Sequence, residues 1–178
     1  MSMGRISGAR NRDHDDKRRQ LAETLAMQLL QAGAADPTLS ALAEGAGVDP
    51  GTLRHYFGDR QGVVRAAFES LLRFGDAQKA RAAQLGELPA REALSTLLQR
   101  IATAWPAMLG GMHAAGISEG MADATLGQSY VNTILEPTLD SVEKLLTRFH
   151  ARGELDVPDV RVGALALLAP VMLALLHQ

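Results

Sequence analysis

The chain has 178 residues, 47% of them hydrophobic, enough for a core in one large domain or two small ones. It contains no cysteine, which excludes disulfides, thiolate catalysis and a cysteine-based zinc site and points to an intracellular, cytoplasmic protein. The formal net charge of −2 is unevenly spread: six Lys or Arg against three Asp in residues 1–20 give +3, nine basic against eight acidic in residues 1–65 give +1, and nine against twelve in residues 66–178 give −3.

The chain opens with MSMGRISGARNRDHDDKRRQ, which lacks the apolar stretch of a signal peptide, so export is not expected. Its charge predicts a flexible basic arm over residues 1–16. Helical periodicity follows at Leu21, Leu25 and Leu29, then at Leu39, Leu42, Ala43 and Ala46, then at Leu53 and Phe57, then from Val63 to Leu72. The breaks carry helix start signals. Asp36-Pro37-Thr38 precedes the second helix, Asp49-Pro50 sets an N-cap and a proline at the first helical position of the third, and Gly58-Asp59 precedes the fourth. Between helices two and three, Gly45-Ala46-Gly47-Val48 offers glycine at a tight corner. This is a helix-turn-helix.

On a helical wheel with Leu53 inward, Phe57 falls beside it and Tyr56 about 60° away, while Gly51 and His55 point outward, flanked by Thr52 and Arg54. Such a short exposed helix suits the major groove: Gly51 allows close approach, and the polar side chains reach phosphates and base edges. Arg60, opening helix four, is placed to meet a phosphate near that helix's N-terminal dipole.

The stretch TLSALAEGAGVDPGTLRHYFGDRQGVV, Thr38 to Val64, resembles the signature of the TetR family of transcriptional regulators: a Thr opening helix two, Ala-Gly-Val in the turn, Gly-Thr-Leu starting the recognition helix and an aromatic-Phe pair ending it. The resemblance implies backbone contacts from Thr38, Thr52 and Tyr56, with Gly51 and His55 facing the groove. The chain departs from the family at Arg54, where Tyr is common, at Gly45, where a basic residue is frequent, and at Arg60, where Lys is usual.

After Phe74 the chain reads as the exposed end of helix four and a connection. Leu94, Leu97, Leu98, Ile101, Ala102 and Trp105 then form an amphipathic face that is expected to stop at Pro106. The Gly- and Met-rich MLGGMHAAGISEGMADATLG reads as short helices and turns. A longer helix is expected from about Leu126 to Ala151, interrupted at Pro137, with Val131, Leu135, Leu139, Val142, Leu146 and Phe149 on one side. The chain closes with VGALALLAPVMLALL, residues 162–176, too short and proline-interrupted for a membrane span but too apolar to leave in water. These last two helices are expected to pair with their symmetry mates in a homodimer. The abrupt stop at His177-Gln178 is the pattern expected of a chain that continues.

Gly116-Ile117-Ser118-Glu119-Gly120 fits G-x-S-x-G, with Asp140 and His150 downstream, and raises the alternative of an esterase. No strand is expected before Ser118, which reads instead as a helix N-cap with Glu119 in the first turn. The spacing of His113, His150 and His177 implies no metal site, and no cofactor or enzyme activity is expected. Trp105, Met108, Met112 and Met121 either line a flexible apolar cavity or fill core, with His113 and Tyr130 able to orient a ligand.

The expected protein is all-α. A flexible arm (1–16) precedes a three-helix, helix-turn-helix DNA-binding head (17–74), and a helical ligand-binding and dimerisation domain (75–178) completes the chain. The family resemblance implies a homodimeric regulator, a repressor released from a palindromic double-stranded DNA operator by a small apolar or amphipathic ligand. The alternative is a helical ligand-binding or protein-interaction module without DNA binding.

Overall fold

The computed structural model describes the backbone of residues 7–176 and the side chains of residues 12–71 and 84–174. Residues 1–6 of the expected arm and the terminal His177-Gln178 lie outside the described residues. All regular elements among the described residues are helical. Residues 7–16, expected as a flexible arm, are the opening turns of α1 (Ser7–Ala32), a correction with a local reason: Asp16 and Arg19 pair one turn apart, as charges on one helix face do.

The head bears out the predicted start signals. In α2 (Leu39–Gly45) the Thr38 hydroxyl accepts from the Ala41 amide at 3.2 Å. The turn out of α2 is a Schellman motif: Gly47, at φ +66°, donates to the Glu44 carbonyl and Val48 to that of Ala43. In α3 (Pro50–Phe57) the Asp49 carboxylate accepts from Gly51 at 2.7 Å. Asp59 likewise accepts from Gly62 at the start of α4 (Arg60–Leu85). A Cβ on Gly62 would lie 1.9 Å from the Phe57 carbonyl oxygen, so only glycine lets α4 leave α3 so sharply. The expected boundary at residue 74 falls inside α4.

Two prolines produce an outcome different from the helix stops expected of them. After α5 (Ala90–Ala104), Pro106 cannot donate to the helical ladder; the backbone widens into a π-helical turn over Trp105–Leu109 and continues as α6 (Gly110–Ala122). The Gly- and Met-rich stretch is therefore largely one helix. After α7 (Ala124–Tyr130), a second π-helical turn over Val131–Leu135 leads into α8 (Glu136–Ala151), with Pro137 in its first turn. The chain ends in α9 (Val160–Leu176).

The head's core is continuous with that of the C-terminal helices. Leu25 and Leu29 of α1, Leu42, Leu53 and Phe68 pack in one cluster with Leu126, Tyr130 and Ile134 from α7 and the turn after it. The apolar side of α8 is buried within the protomer, with Phe149 against Leu85 and Ala93 and with Leu139, Val142 and Leu146 against Ala164 and Leu168 of α9. That corrects its expected role as an exposed dimer stripe. Arg161 ties α9 to α8 by donating to Glu136 and Glu143, both within 2.9 Å.

Glycine sets how closely α6 approaches its neighbours. A Cβ on Gly111 would stand 2.0 Å from the Leu30 carbonyl oxygen in α1, and the Gly120 and Gly127 backbones touch where α6 meets α7. Gly111→Ala should lower stability by about 1–3 kcal/mol, because the clash is with backbone and α6 must back away. Denaturant midpoints of the two proteins measure this.

Candidate functional site

The recognition helix α3 is anchored by one side chain and presents the others. Leu53 is fully buried, while Gly51, Arg54 and His55 are exposed and Thr52 and Tyr56 half-buried. Asp49 spends its carboxylate on the Gly51 amide, and a Cβ at Gly51 would lie 2.8 Å from that carboxylate. Glycine at 51 therefore serves the cap as well as the surface. Thr38 is exposed; its hydroxyl accepts from Ala41 and keeps its proton to donate outward. Gly51, Thr52, Arg54, His55 and Tyr56 thus lie on α3, and Thr38 caps the adjoining α2.

Arg60 does not join them, which corrects its expected place at a phosphate. Its guanidinium turns inward: Nε donates to the Pro37 carbonyl at 2.8 Å, Nη1 to Glu119 Oε2 at 2.8 Å, and Nη2 to Glu119 Oε1 at 2.5 Å and to Asp36. The Glu119 side chain is only 3% exposed. The guanidinium's hydrogen bonds to the Glu119 carboxylate, opposed in part by burial, raise the Arg60 pKa. One residue of α4 therefore grips both the α1–α2 connection and α6. Sequence reading missed Glu119, which lies 59 residues away and stood out only as part of G-x-S-x-G.

Ser118 lies inside α6 rather than at its N-cap, another correction, since α6 begins at Gly110. Its hydroxyl donates to the Ala34 carbonyl at 3.4 Å. Asp140 pairs with Lys144, and His150 Nδ1 contacts the backbone of Leu155 and Val157. A nucleophile elbow needs a strand before the serine; here a helix surrounds it.

Behind the head, three expected ligand-binding residues form a compact cluster. The buried His113 ring stacks on Trp105 with centroids 5.5 Å apart, and its Nδ1 is hydrogen-bonded to the Tyr130 hydroxyl at 2.6 Å. A Cβ on Gly116 would sit 2.1 Å from the Tyr130 ring, so glycine makes room for it. Met108 and Met112 pack against the neighbouring core, but Met121, 86% exposed and two turns along α6 from His113, does not. An open cleft of about 450 Å³ lies elsewhere, beside Arg60 and Glu119, bordered by Asp59, Gln61, Asp123 and Leu126. No group of three His, Asp or Glu side chains suited to a metal occurs among the described residues.

An exposed two-turn helix following a Schellman turn, joined to further helices, defines a helix-turn-helix head. Residues 23–67 match the family model of bacterial regulatory proteins, tetR family. Over 74 residues the chain is 38% identical to the HTH-type transcriptional regulator BetI 1 of Chromohalobacter salexigens, covering 41% of this chain and 37% of that protein. Over 57 residues it is 37% identical to BetI of Stenotrophomonas maltophilia, covering 32% of this chain and 29% of that one. The chain thus matches about a third of the length of these curated relatives. Two solved structures share the fold. A TetR-family regulator from Mesorhizobium loti superposes with a TM-score of 0.73 at 19% identity, over 91% of this chain and 84% of that one. FadR from Bacillus subtilis, in complex with stearoyl-CoA, does so at 0.70 and 18%, over 89% and 84%. Residues 23–67 thus carry the TetR-family match, and the described helices share their fold with these two solved regulators.

Arg60→Met strands the Glu119 carboxylate in a poorly solvated place and should cost about 3–5 kcal/mol, whereas Glu119→Leu leaves Arg60 paired with Asp36 and should cost less. The double substitution Arg60→Met/Glu119→Leu should recover most of that in a double-mutant cycle monitored by denaturant melting. His113 gives a pH signature. Burial lowers its pKa from 6.5 to about 4, so the folded protein refuses a proton that the unfolded chain accepts. That contribution is complete above pH 6.5 and is lost as pH falls to about 4, by up to about 3 kcal/mol. Thermal melts of wild type and His113→Gln over this range should show a larger loss in wild type than in the variant.

Proposed function

We propose that this chain is a DNA-binding repressor that acts as a homodimer in the cytoplasm and leaves a palindromic double-stranded operator when a small apolar or amphipathic ligand binds its C-terminal helices. The observation that carries the DNA-binding part is α3: Leu53 buried beneath, Gly51, Arg54 and His55 exposed above. Gly51 lets the helix approach the base edges, His55 enters the groove, and Thr38, Thr52 and Tyr56 hold the flanking phosphates. Residues 17–74 then act as the DNA-binding unit and residues 75–178 as the unit that binds ligand and the second subunit.

Dimerisation is supported by α9. Val162, Leu165 and Leu173, with Ala166 and Ala169, are exposed in one stripe at helical spacing, and Ala164 and Leu168 on the other side are buried against α8. A second copy covers that stripe. Leu165→Glu should convert a dimer to a monomer in light scattering at micromolar concentration; a monomeric wild type would sink the proposal.

Ligand response is supported by the route from the ring cluster to the head. Trp105, Met108, Met112, His113 and Tyr130 surround the π-helical turn before α6 and the end of α7, and a ligand enters by displacing the adaptable methionines. That movement shifts α6. Glu119, on α6, holds Arg60 at the start of α4, and α4 adjoins α3. Ligand and operator therefore favour different positions of α6, a reciprocal coupling of two sites. The FadR neighbour, whose structure contains stearoyl-CoA, shares this fold. A thermal-shift screen of amphipathic compounds, with DNA release measured for each hit, tests the ligand part.

Arg54 decides how the operator is read. As a phosphate clamp, its loss in Arg54→Ala weakens all sequences alike and reduces the salt slope by about one unit; as a guanine contact, its loss costs roughly 1–3 kcal/mol at one base pair. Its flank position favours the clamp. Titrations of both proteins on enriched and scrambled duplexes at several salt concentrations separate the two, and unchanged binding to both would make Arg54 a bystander.

A further inference from the structure

At the outer end of the recognition helix three rings from two helices meet. His14 of α1 lies against the Tyr56 ring at 4.7 Å between centroids, tilted by 38°, and meets His55 edge-on at 5.7 Å and 82°. His55 and Tyr56 close the triangle at 5.1 Å. One turn further along α1, Arg18 donates from Nε to the Tyr56 carbonyl at 3.4 Å, and its guanidinium lies over the Phe57 ring at 5.5 Å. His14 and Arg18 are thus one face of α1, laid along the last turn of α3. His55 is exposed, and the His14 side chain is 45% exposed, so both imidazoles are open to solvent at the end of α3.

We infer that His14 is part of the DNA-reading surface: it positions Tyr56 and His55, and together with His55 forms a two-imidazole phosphate contact that takes up a proton when operator DNA binds. This rests on the DNA-binding reading above. Charged and titratable residues within a turn of the two imidazoles include Arg12, Asp13, Asp15, Lys17 and Arg18 on α1 and Arg54 and Tyr56 on α3; of these Asp15 lies 3.6 Å from His14 Nδ1. Imidazole is the side chain whose charge ordinarily changes between about pH 5 and 8. A phosphate seated between the two rings accepts from both once they are protonated, so it favours their charged form. Because the DNA-bound state holds more protons than the free one, affinity rises as pH falls. The recognised group is the phosphodiester, so the gain is common to all duplexes, while sequence preference stays with the groove-facing residues.

The test uses the full chain and 30-base-pair duplexes enriched on it from a random library at about pH 8, with anisotropy titrations at about pH 8 and pH 6 and several salt concentrations. For wild type, binding should tighten by roughly tenfold at the lower pH, and the logarithmic salt slope should steepen by about one unit. His14→Phe keeps a ring on Tyr56 but can neither titrate nor donate; it should bind a fewfold more weakly than wild type at pH 8 and, in addition, lose about half of the gain at pH 6. His14→Ala, which removes the ring, should bind more weakly at both. Circular dichroism at pH 6 confirms that each protein is folded, and His14→Gln replaces His14→Phe if the latter is not. A wild-type pH profile in the non-titrating variant, or a flat profile in wild type, overturns the inference and leaves DNA binding intact. No retention of wild type on random duplex DNA at low salt at either pH sinks the DNA-binding reading and this inference with it.

Discussion

A buried carboxylate governs how the head sits on the rest of the molecule. Glu119 is almost fully withdrawn from water, and a lone charge in such a place is strongly unfavourable unless paired and hydrogen-bonded. Arg60 meets that need with a bidentate fork and has donors left for Asp36 and the Pro37 carbonyl. The planar guanidinium thereby fixes three backbone segments relative to one another: the α1–α2 connection, the start of α4 and the end of α6. A lysine could satisfy the charge, but it could not hold three partners in a plane. Asp36 reaches its place with φ at +48°, an uncommon backbone value for a residue with a side chain.

The pair could not form if α6 stood a normal helix-packing distance away. Gly111 brings α6 against the Leu30 carbonyl, Gly116 accepts the Tyr130 ring, and Gly120 meets Gly127 backbone to backbone. Side chains at these positions would push α6 out and separate Glu119 from Arg60. The glycines cost helix propensity, roughly 1 kcal/mol each relative to Ala, and what offsets that is packing. The same closeness buries His113 and Tyr130 in the interior. Burial holds the imidazole neutral and pushes the phenol up to about 12.

The features legible in the sequence are local ones. Asp49-Pro50, Thr38 and the glycine of the turn each act on amides a few residues away, and the structure uses each as its chemistry suggests. Leu53 inward with Gly51 and His55 outward comes from helical geometry alone. The features that sequence misplaces are of two kinds. Some residues have distant partners: Arg60 suggests a phosphate because nothing nearby in sequence reveals Glu119, and His14 looks like part of a flexible arm because its ring partners lie about forty residues on. Others involve proline, which reads as a full stop. At Pro106 the helix widens by one residue instead, which periodicity does not reveal. The apolar side of α8 is visible, but sequence does not say whether its cover is α9 of the same chain or a helix of another.

The continuity of the core bears on how such a head could respond to events elsewhere. Leu126, Tyr130 and Ile134 pack in the same cluster as Leu53 and Phe68, so the head has no apolar surface of its own on which to slide. Close-packed interiors do not deform smoothly; they shift between discrete arrangements. The places able to absorb such a shift are those where the helical ladder is already irregular, the π-helical turns at Trp105–Leu109 and Val131–Leu135. Both adjoin the ring cluster, one supplying Trp105 and the other coming directly after Tyr130. Any movement of α6 would load the π-helical turn that precedes it first. The Arg60–Glu119 fork would then have to move with it or break, and because breaking it strands a buried charge, the head moves too.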